Sequence, residues 1–281
     1  MRLYHTKKAL SEYLDKKKAT LGFVPTMGAL HTGHLSLVKR AVAENPLTVV
    51  SIFVNPTQFN KTADLHNYPR TLEEDLKRLS NHADSIVVFA PPLEELYGST
   101  MQTHSYDFGT LGQFMEGASR GNHFQGVATV VEKLFSLVAP QKAYFGEKDY
   151  QQLQIIRALT LKNNWPITVV GCPIIREPNG LAMSSRNVFL TEEDKNDAKL
   201  LYKTLQWTAK QIGKIPLAQI REKVYKDFQN HPAFQLDYFC IADTQTLVPV
   251  QKMSAGKKYR AFIAAYLKQI RLIDNMPITK I

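Results

Sequence analysis

The sequence predicts an α/β protein with a Rossmann-like, doubly wound parallel sheet and a smaller C-terminal α+β domain. Two observations lead to this prediction. Up to residue 175, apolar strand-like runs alternate with amphipathic helical segments, which is typical of βαβ units. After residue 190, two helical segments come first and short strand-like runs follow, which is typical of an antiparallel sheet with helices beside it. We therefore expect one domain at 1–175 and a second at 176–281.

The elements of the first domain follow from their hydrophobic patterns. Residues 20–25 form an apolar run, and residues 34–45 after it carry apolar side chains on one helical face. The run at 47–55 is apolar throughout, as expected of a strand that is covered on both faces. Thr71, with Glu74 three residues later, resembles a capping box that begins a helix. The further predictions are a helix over 71–82, a strand over 85–92, a helix over 126–140, a short strand and its loop over 143–149, a helix over 150–163 and a strand over 167–175.

The second domain begins with two predicted helices, at about 191–213 and 216–230. Short runs rich in β-branched and aromatic residues follow, and they predict strands. These runs cover 235–242, 246–250, 259–267 and 270–275.

Composition restricts the class of protein. The chain has 281 residues, 44% of them hydrophobic and 21% charged, which is ordinary for a soluble globular protein. It has no apolar run of membrane-spanning length and no apolar segment typical of a secretory signal at its start. Cys172 and Cys240 form neither a metal-binding spacing nor a redox pair. We therefore expect a cytoplasmic protein with reduced thiols and no membrane partner.

The net charge of +10 suits a polyanionic partner, although a solvated lysine face with no partner is the commonest explanation of runs of basic residues. A nucleoside triphosphate and RNA both have that character. The sequence lacks the pattern of Arg and aromatic residues that an RNA-binding sheet uses for base stacking. A basic, non-catalytic RNA-binding module is therefore an alternative that only the charge favours, and we expect no nucleic-acid partner.

Residues 28–34 read G-A-L-H-T-G-H, between the first predicted strand and the first predicted helix. His34 and Leu35 stand where a P-loop requires Lys and Ser or Thr, which excludes a P-loop. A glycine-bearing turn after a strand lets backbone N–H groups approach a phosphate, and the following helix directs its positive end toward it. His31 and His34 are three residues apart and can share one face of the first helical turn. A lone histidine here would more often cap or pack, but two imidazoles with two glycines favour phosphate binding.

A second polar segment, L-A-M-S-S-R-N at 181–187, supplies hydroxyl groups and a guanidinium that suit a pyrophosphate leaving group. The H-x-G-H motif resembles that of the nucleotidyltransferase superfamily, whose members bind ATP there and attack its α-phosphate. Met183 to Arg186 resembles the K-M-S-K-S loop of the same superfamily.

Longer segments resemble the pantoate–β-alanine ligase (pantothenate synthetase) family, in the order and spacing typical of that family. They are V-P-T-M-G-A-L-H-T-G-H (24–34), V-N-P-T-Q-F (54–59), Y-P-R-T-L-E-E-D-L (68–76), H-F-Q-G-V-A-T-V-V-E-K-L-F (123–135), F-G-E-K-D-Y-Q-Q-L (145–153), R-E-P-N-G-L-A-M-S-S-R-N (176–187), L-D-Y-F-C-I-A-D (236–243) and R-L-I-D-N (271–275). This chain lacks the glycine that the family usually has before R-L-I-D-N.

The resemblance implies condensation of (R)-pantoate with β-alanine through a pantoyl adenylate, with release of AMP and pyrophosphate. It implies ATP as co-substrate, Mg²⁺ with the ATP, no tightly bound organic cofactor, and a homodimer. Because a carboxylate must approach a polyanion, the site needs cationic and donor groups. Two like unit charges 4 Å apart repel by about 4 kcal/mol at an effective dielectric constant of 20. A related alternative is another adenylate-forming nucleotidyltransferase that uses a different acid.

The resemblance also implies residue roles. His34 is the expected proton donor, and His31, Lys148 and Arg186 are the other expected catalytic residues. The expected ATP-binding residues are Met27, Gly28, Ala29, Leu30, His31, Thr32, Gly33, His34, Gly146, Glu147, Lys148, Asp149, Ile175, Met183, Ser184, Ser185 and Arg186. Gln58 and Gln152 are expected to bind pantoate with help from Asn55, and Gln58 also β-alanine. The phosphates are expected to supply most Mg²⁺ ligands, with Asp75 or Glu74 as a candidate protein ligand, although an ordinary charge at a helix start explains both residues as well. The reading depends on His31, His34, Lys148 and Arg186 acting on one triphosphate.

Overall fold

The computed structural model describes residues 1–17 and 19–278. The chain divides into two compact units. The first unit comprises Met1–Phe108, Arg120–Glu147 and Gln152–Pro173. The second unit comprises Gly109–Ser119, Lys148–Gln151 and Ile174–Ile281. The domain limits expected from the sequence, 1–175 and 176–281, concern independently folding regions and stay a prediction.

The strands of the first unit form one parallel sheet. In the described residues this sheet has six strands in the order β1-β4-β3-β2-β5-β6, and each neighbouring pair is parallel. The strands are β1 (Arg2–Tyr4), β2 (Leu21–Thr26), β3 (Leu47–Ile52), β4 (Ile86–Phe89), β5 (Lys142–Gly146) and β6 (Thr168–Cys172). The central strand β3 is buried along nearly its whole length, in agreement with its uninterrupted apolar sequence.

Helices connect these strands and continue into the second unit. They are α1 (Lys7–Lys17), α2 (Thr32–Glu44), α3 (Thr62–Asn67), α4 (Leu72–Leu79), α5 (Leu93–Tyr97), α6 (Glu116–Ser119), α7 (His123–Val138), α8 (Tyr150–Lys162), α9 (Glu192–Gln211) and α10 (Leu217–Gln229). Short 3₁₀ turns lie at Pro56–Gln58, Ser80–His82, Gly109–Gly112, Glu147–Asp149 and Ser185–Phe189.

The core of the first unit forms where α2 lies against the sheet. Val38 and Ala41 of α2 are fully buried and pack in one cluster with Val24 of β2, Val50 of β3 and Val88 of β4. Burial of a valine or leucine side chain stabilises the fold by about 1.5–3 kcal/mol. Because α2 begins directly after the turn that follows β2, this packing also fixes the position of that turn.

The second unit contains a three-stranded antiparallel sheet in the order β7-β8-β9, counted within the part of the chain that the structure describes. Its strands are β7 (Phe234–Asp243), β8 (Tyr259–Leu267) and β9 (Ile270–Ile278). Leu201 and Leu205 of α9 and Val224 of α10 are buried against Ile263 and Leu267 of β8.

The turn between β8 and β9 forms without the glycine that the family usually has near it. Leu267 pairs with Ile270, and Lys268 in the turn adopts φ +54°. A left-handed conformation is unfavourable for a residue with a side chain by roughly 1–2 kcal/mol. The hydrogen bond from the backbone N–H of Lys268 to the carbonyl of Ala233 contributes to holding it there.

The predicted fold class is confirmed, and most predicted elements are present with shifted ends. Three differences have physical reasons. Residues 246–250 form no strand and contribute only an isolated bridge between Ala242 and Pro249, since proline has no N–H for a ladder. The short β1 and the polar α1 were not predicted, because neither has a long apolar pattern. The prediction of a capping box at Thr71 was wrong. The hydroxyl of Thr71 donates to Asp75 at 3.4 Å and makes no capping hydrogen bond to α4.

Two further expectations concern the cysteines and membranes. Both cysteines are free thiols, as expected; Cys172 is buried and Cys240 is half-buried. Among the described residues, no helix is both long enough and apolar enough to cross a bilayer.

Candidate active site

The first group of candidate residues lies at the carboxyl edge of the parallel sheet. From β2 the chain proceeds to β3 on one side, while β5 pairs with β2 on the other side. The strand order therefore reverses between β2 and β5, and open α/β sheets bind ligands at such a point, beyond the carboxyl ends of the strands. The turn after β2 contains His31, and Gly146 and Glu147 lie at the end of β5.

The turn after β2 has two consecutive residues with positive φ, and only the first of them is a glycine. Gly28 has φ +77°, which suits glycine, but Ala29 follows with φ +49°. Two side chains hold this turn. The hydroxyl of Thr26 accepts the N–H of Gly28 at 3.2 Å and donates to the carbonyl of Ser51 at 2.8 Å. The second side chain is Asp75.

Asp75 of α4 is buried below the same turn. Its two carboxylate oxygens accept the N–H of Ala29 at 2.9 Å and the N–H of Leu30 at 2.7 Å. A Cβ atom at Gly28 would lie 3.0 Å from one of these oxygens. Burial raises the pKa of the Asp75 carboxyl, while the N–H groups of Leu30 and Ala29 act in the opposite direction. The carboxylate is therefore engaged in holding the turn.

His31 and His34 form a reciprocal capping box at the start of α2. Nδ1 of His31 accepts the backbone N–H of Gly33 at 3.1 Å and also that of His34. Nδ1 of His34 accepts the backbone N–H of His31 at 3.3 Å. The two ring centres lie 4.0 Å apart, so the imidazoles share one face as predicted. Because Nδ1 of each ring is an acceptor, each neutral imidazole carries its proton on Nε2.

These contacts revise one expectation from the sequence. The glycine-bearing turn was expected to direct its backbone N–H groups at a phosphate. Instead, the N–H groups of Gly28, Ala29, Leu30, His31 and Gly33 all donate to side chains within the first unit. The groups of this segment that suit a phosphate are therefore the imidazoles and the positive end of α2.

Gln58 lies in a buried network of amides after β3. Its Nε2 donates to the sulfur of Met27 at 2.9 Å, and its Oε1 accepts from Asn55 at 3.1 Å. Asn55 also donates to the carbonyl of Gly126 at 3.1 Å and accepts the hydroxyl of Tyr97 at 2.7 Å. These contacts give Asn55 a supporting position beneath Gln58, and its predicted role in substrate binding stays a prediction.

Two residues of this network had no predicted role in substrate binding. Burial raises the pKa of the Tyr97 phenol, which keeps it a donor to Asn55. Nδ1 of His123 lies 2.8 Å from the backbone oxygen of Gln58. Sequence patterns gave no signal for Tyr97, because its partner Asn55 lies 42 positions away. The other predicted pantoate residue, Gln152, is half-buried in the first turn of α8.

The second unit contains the other predicted ATP-binding residues. Lys148 is half-buried in the Glu147–Asp149 turn, with its ammonium 3.5 Å from the carboxylate of Asp149. The backbone oxygen of Lys148 accepts Nδ2 of Asn275 at 2.8 Å. Nothing in the local sequence predicted this contact, although Asn275 belongs to the R-L-I-D-N segment that resembles the family.

The segment from Ile175 to Arg186 begins with a tight hairpin. The N–H of Met183 donates to the carbonyl of Ile175 at 2.9 Å, and Arg176 pairs with Ala182 in an isolated antiparallel β-bridge. Ser184 then caps the next 3₁₀ turn by accepting the N–H of Arg186 at 3.3 Å. Ser185 is buried, whereas Ile175, Met183, Ser184 and Arg186 are half-buried. The hydroxyl-rich loop predicted from the sequence therefore has a defined local structure.

Asp75, the predicted Mg²⁺ ligand, belongs to no metal-binding cluster among the described residues. Within residues 1–17 and 19–278, no group of three or more His, Cys, Asp or Glu side chains could hold a metal ion. Since both oxygens of Asp75 already accept N–H groups, its contacts favour a structural role. Its role as a Mg²⁺ ligand stays a prediction.

A parallel sheet with a histidine-capped helix at its switch point defines a Rossmann-like α/β protein of the nucleotidyltransferase type. Residues 2–277 match the family model of pantoate–β-alanine ligase. The chain belongs to the pantoate–β-alanine ligase family.

Individual relatives agree with this assignment. The pantothenate synthetase of Flavobacterium psychrophilum is 48% identical over 269 residues, covering 96% of this chain and 95% of the relative. A crystal structure of pantothenate synthetase from Thermus thermophilus superposes with a TM-score of 0.90 at 44% identity, covering 98% of this chain and 99% of the other. The pantoate–β-alanine ligase of Francisella tularensis, solved in complex with beta-gamma ATP and β-alanine, gives a TM-score of 0.82 at 35% identity. It covers 99% of this chain and 97% of that one.

Proposed function

We propose that this chain condenses (R)-pantoate with β-alanine to pantothenate, with ATP converted to AMP and pyrophosphate through a pantoyl-adenylate intermediate. The observation that carries the proposal is the match of residues 2–277 to the pantoate–β-alanine ligase family. The Francisella tularensis relative, whose structure contains beta-gamma ATP and β-alanine, supports ATP and β-alanine as substrates.

The proposed reaction has two steps. In the first, a carboxylate oxygen of pantoate forms a bond to the α-phosphorus of ATP, and the bond to the β-phosphate bridging oxygen breaks to release pyrophosphate. In the second, the amine of β-alanine attacks the acyl carbon, the bond from that carbon to the AMP oxygen breaks, and the amine loses a proton. The first step needs the most charge stabilisation, because an anion attacks a polyanion.

His31 and His34 suit this need as hydrogen-bond donors. With Nδ1 of each ring accepting a backbone N–H, the proton on Nε2 is the one each ring can donate to a phosphate oxygen. We assign His34 as the proton donor and His31 as its partner. Lys148 would neutralise phosphate charge, and Arg186 with Ser184 and Ser185 would bind the leaving pyrophosphate.

The remaining ATP contacts are proposed from the resemblance. They come from Met27, Gly28, Ala29, Leu30, Thr32, Gly33, Gly146, Glu147, Asp149, Ile175 and Met183. The N–H groups of Gly28, Ala29 and Leu30 already donate to Thr26 and Asp75. These three residues would therefore contact ATP through the shape of the turn and not as N–H donors.

Gln58 and Gln152 are proposed to bind pantoate, and Gln58 also β-alanine. Pantoate has a carboxylate and two hydroxyl groups, and an amide both donates and accepts hydrogen bonds. Burial of Gln58 in a network with Asn55 and Met27 fixes the direction of its amide. An ordered amide pays less conformational entropy when a small ligand binds.

Mg²⁺ is proposed to accompany ATP, with the phosphates supplying most of its ligands, because Mg²⁺ retains water and binds few protein groups in such sites. The homodimer and the cytoplasmic location expected from the sequence stay predictions.

The test is isotope exchange between pyrophosphate and ATP. Exchange should require (R)-pantoate and Mg²⁺ but not β-alanine, and addition of β-alanine should then release AMP. The (S)-enantiomer is the matched control and should support little exchange. Exchange with another acid but not with pantoate would replace the proposal with a different adenylate-forming enzyme. RNA binding that is tight and steeply salt-dependent, without exchange, would favour a binding module instead.

A further inference from the structure

The backbone of Lys148 is fixed by a residue far along the chain. Nδ2 of Asn275 on β9 donates to the carbonyl of Lys148 at 2.8 Å, across 127 positions in sequence. Asn275 is 2% exposed, whereas Lys148 is half-buried, so the hydrogen bond links a buried amide to a partly exposed turn. A hydrogen bond from a buried donor to a backbone carbonyl restricts the turn from which the lysine side chain projects.

Asn275 is itself held in one orientation. Its Oδ1 accepts from the guanidinium of Arg260 on β8, which fixes which end of the amide faces Lys148. The same guanidinium lies over the ring of Tyr150, 4.1 Å from the ring centre. Because Tyr150 is two residues after Lys148, the sheet contacts this short segment at two points.

The second unit has two candidate segments, the turn at Lys148 and the segment from Ile175 to Arg186. The residue before Asn275 on β9 holds the second of these. Asp274 forms a bidentate ion pair with Arg176, at 2.6 and 2.9 Å. Arg176 also donates to the carbonyl of Gly180 at 3.0 Å and stacks on Tyr202, with its guanidinium carbon 3.8 Å from the ring centre. Arg176 therefore closes the hairpin that leads to Met183 and Arg186.

Asp274 is electrostatically linked to Lys148 as well. Burial raises the pKa of the Asp274 carboxyl above its usual value, although hydrogen bonds and charge from Arg176 and the charge of Lys148 act in the opposite direction. A buried carboxylate needs nearby cations and hydrogen-bond donors, and here these include two candidate-segment residues and the N–H of Asn275, at 2.7 Å.

We infer that Asp274 and Asn275 are positioning residues for adenylation: Asn275 orients Lys148, and Asp274 orients the hairpin that carries Met183 to Arg186. Neither touches a reacting atom in this assignment. Two consecutive residues of one strand thereby set the relative placement of two segments that lie far apart in sequence. The inference rests on the proposed function, because it takes Lys148 and Arg186 as phosphate-binding groups.

Asn275→Asp is the sharpest test for the first residue. Aspartate retains the shape and an acceptor for Arg260, but it cannot donate to the carbonyl of Lys148. We expect pantoate-dependent pyrophosphate exchange to fall roughly 10- to 100-fold, because a misplaced catalytic group has an effect of that size. The KM for ATP should rise, while the KM for β-alanine should remain unchanged.

A double-mutant cycle separates positioning from a general structural role. If Asn275 acts through Lys148, the Asn275→Asp change should have little further effect on exchange in a Lys148→Ala background. A structural role would give multiplicative losses. Multiplicative losses, or exchange at the wild-type rate in Asn275→Asp alone, would overturn the assignment of Asn275.

Asp274→Asn tests the second residue, with Asp237→Asn as its matched control. Asp237 also accepts from an arginine, Arg271, at 2.7 and 3.0 Å, but it contacts neither candidate segment. Both variants should lower the melting temperature, and only Asp274→Asn should lower exchange by about tenfold or more. Its effect should be largely lost in an Arg186→Ala background. Equal exchange in the two aspartate variants would overturn the role of Asp274.

Failure of the proposed function can be distinguished from failure of the positioning roles of Asp274 and Asn275. Wild-type exchange with pantoate is measured first. If wild type uses another acid, the same cycles are run with that acid, and non-additivity would still support the positioning roles. Additivity with either acid would reject them.

Discussion

The two units hold their candidate residues by different means. In the first unit, His31 and His34 are held by each other's backbone N–H groups, three residues apart. In the second unit, Lys148 is held by Asn275, 127 positions away. The histidine arrangement is mostly a property of one helix start, whereas the lysine arrangement exists only when β9 is in place.

This difference indicates which changes should damage each group. Local hydrogen bonds at a helix start contribute about 1 kcal/mol each and can be replaced by other capping side chains. Long-range buried contacts depend on the whole sheet, and loss of one partner leaves a buried polar group unsatisfied. Long-range contacts also occur in the first unit: Asp75 holds the turn after β2 from 45 and 46 positions away, and Gln58 contacts Met27, 31 positions away.

The largest effect is expected at His34. His34→Ala should reduce adenylate formation by roughly 10²- to 10⁴-fold, because it removes the proposed proton donor, and should lower stability by about 1 kcal/mol through the lost cap. His34→Asn is the control, since its side-chain oxygen can still accept the N–H of His31. It should recover the melting temperature without recovering exchange. Near-normal turnover of His34→Ala would remove His34 from the mechanism.

Asp75→Ala should have the next largest effect. It leaves the buried N–H of Leu30 and the half-buried N–H of Ala29 without an acceptor, which should lower the free energy of unfolding by about 3 kcal/mol in urea titrations. Exchange should fall as the histidine turn loosens. Glu74→Gln, next in sequence but exposed, should change neither quantity. A weaker Mg²⁺ dependence with unaltered stability would instead support the metal role expected from the sequence.

Gln58→Ala and Gln152→Ala should each raise the KM for pantoate about tenfold and affect ATP less, since each removes a hydrogen bond to a small ligand. The two variants should differ in stability. Gln58→Ala should lower the melting temperature, because Gln58 belongs to the buried amide network. Gln152→Ala should not, because Gln152 is half-buried. Steady-state kinetics and thermal melts measure both quantities. Equal losses of ATP and pantoate affinity would indicate a folding defect.

The smallest effect is expected in the acid unfolding of the two units. Hydrogen bonds from Arg40, then Lys142 and Tyr144, lower the pKa of Glu44 from 4.5 to about 2. A depressed pKa contributes stability above pH 4.5 that is lost as the pH falls toward 2. Glu44→Gln should therefore flatten the acid side of the stability curve by up to about 1 kcal/mol.

Asp274 should behave in the opposite sense, because burial raises its pKa above 3.8. A raised carboxyl pKa gives stability that is present below pH 3.8 and is lost as the pH rises through the folded-state value. Asp274→Asn should therefore steepen the loss of stability on acidification. Urea titrations at several pH values measure both slopes, and slopes of the same sign would contradict the contrast between the units.

The sequence by itself determined the fold class, the alternation of most strands and helices, and the chemical types at the candidate site. Hydrophobic periodicity and glycine placement act over a few residues, so α2, β3 and β8 could be predicted from neighbouring positions. The H-x-G-H segment and the Met183–Arg186 loop were likewise visible, since their residue types already indicate phosphate chemistry.

Only the tertiary structure decided which side chains hold those segments. Thr71 donates to Asp75 instead of capping α4, Asp75 takes the N–H groups expected for a phosphate, and Asn275 fixes Lys148. Thr71 and Asp75 are only 4 positions apart, but the other two pairs are separated by 46 and 127 positions. A buried donor bonds to whichever acceptor the packed chain brings within reach, and that choice depends on long-range packing, about which local patterns contain no information.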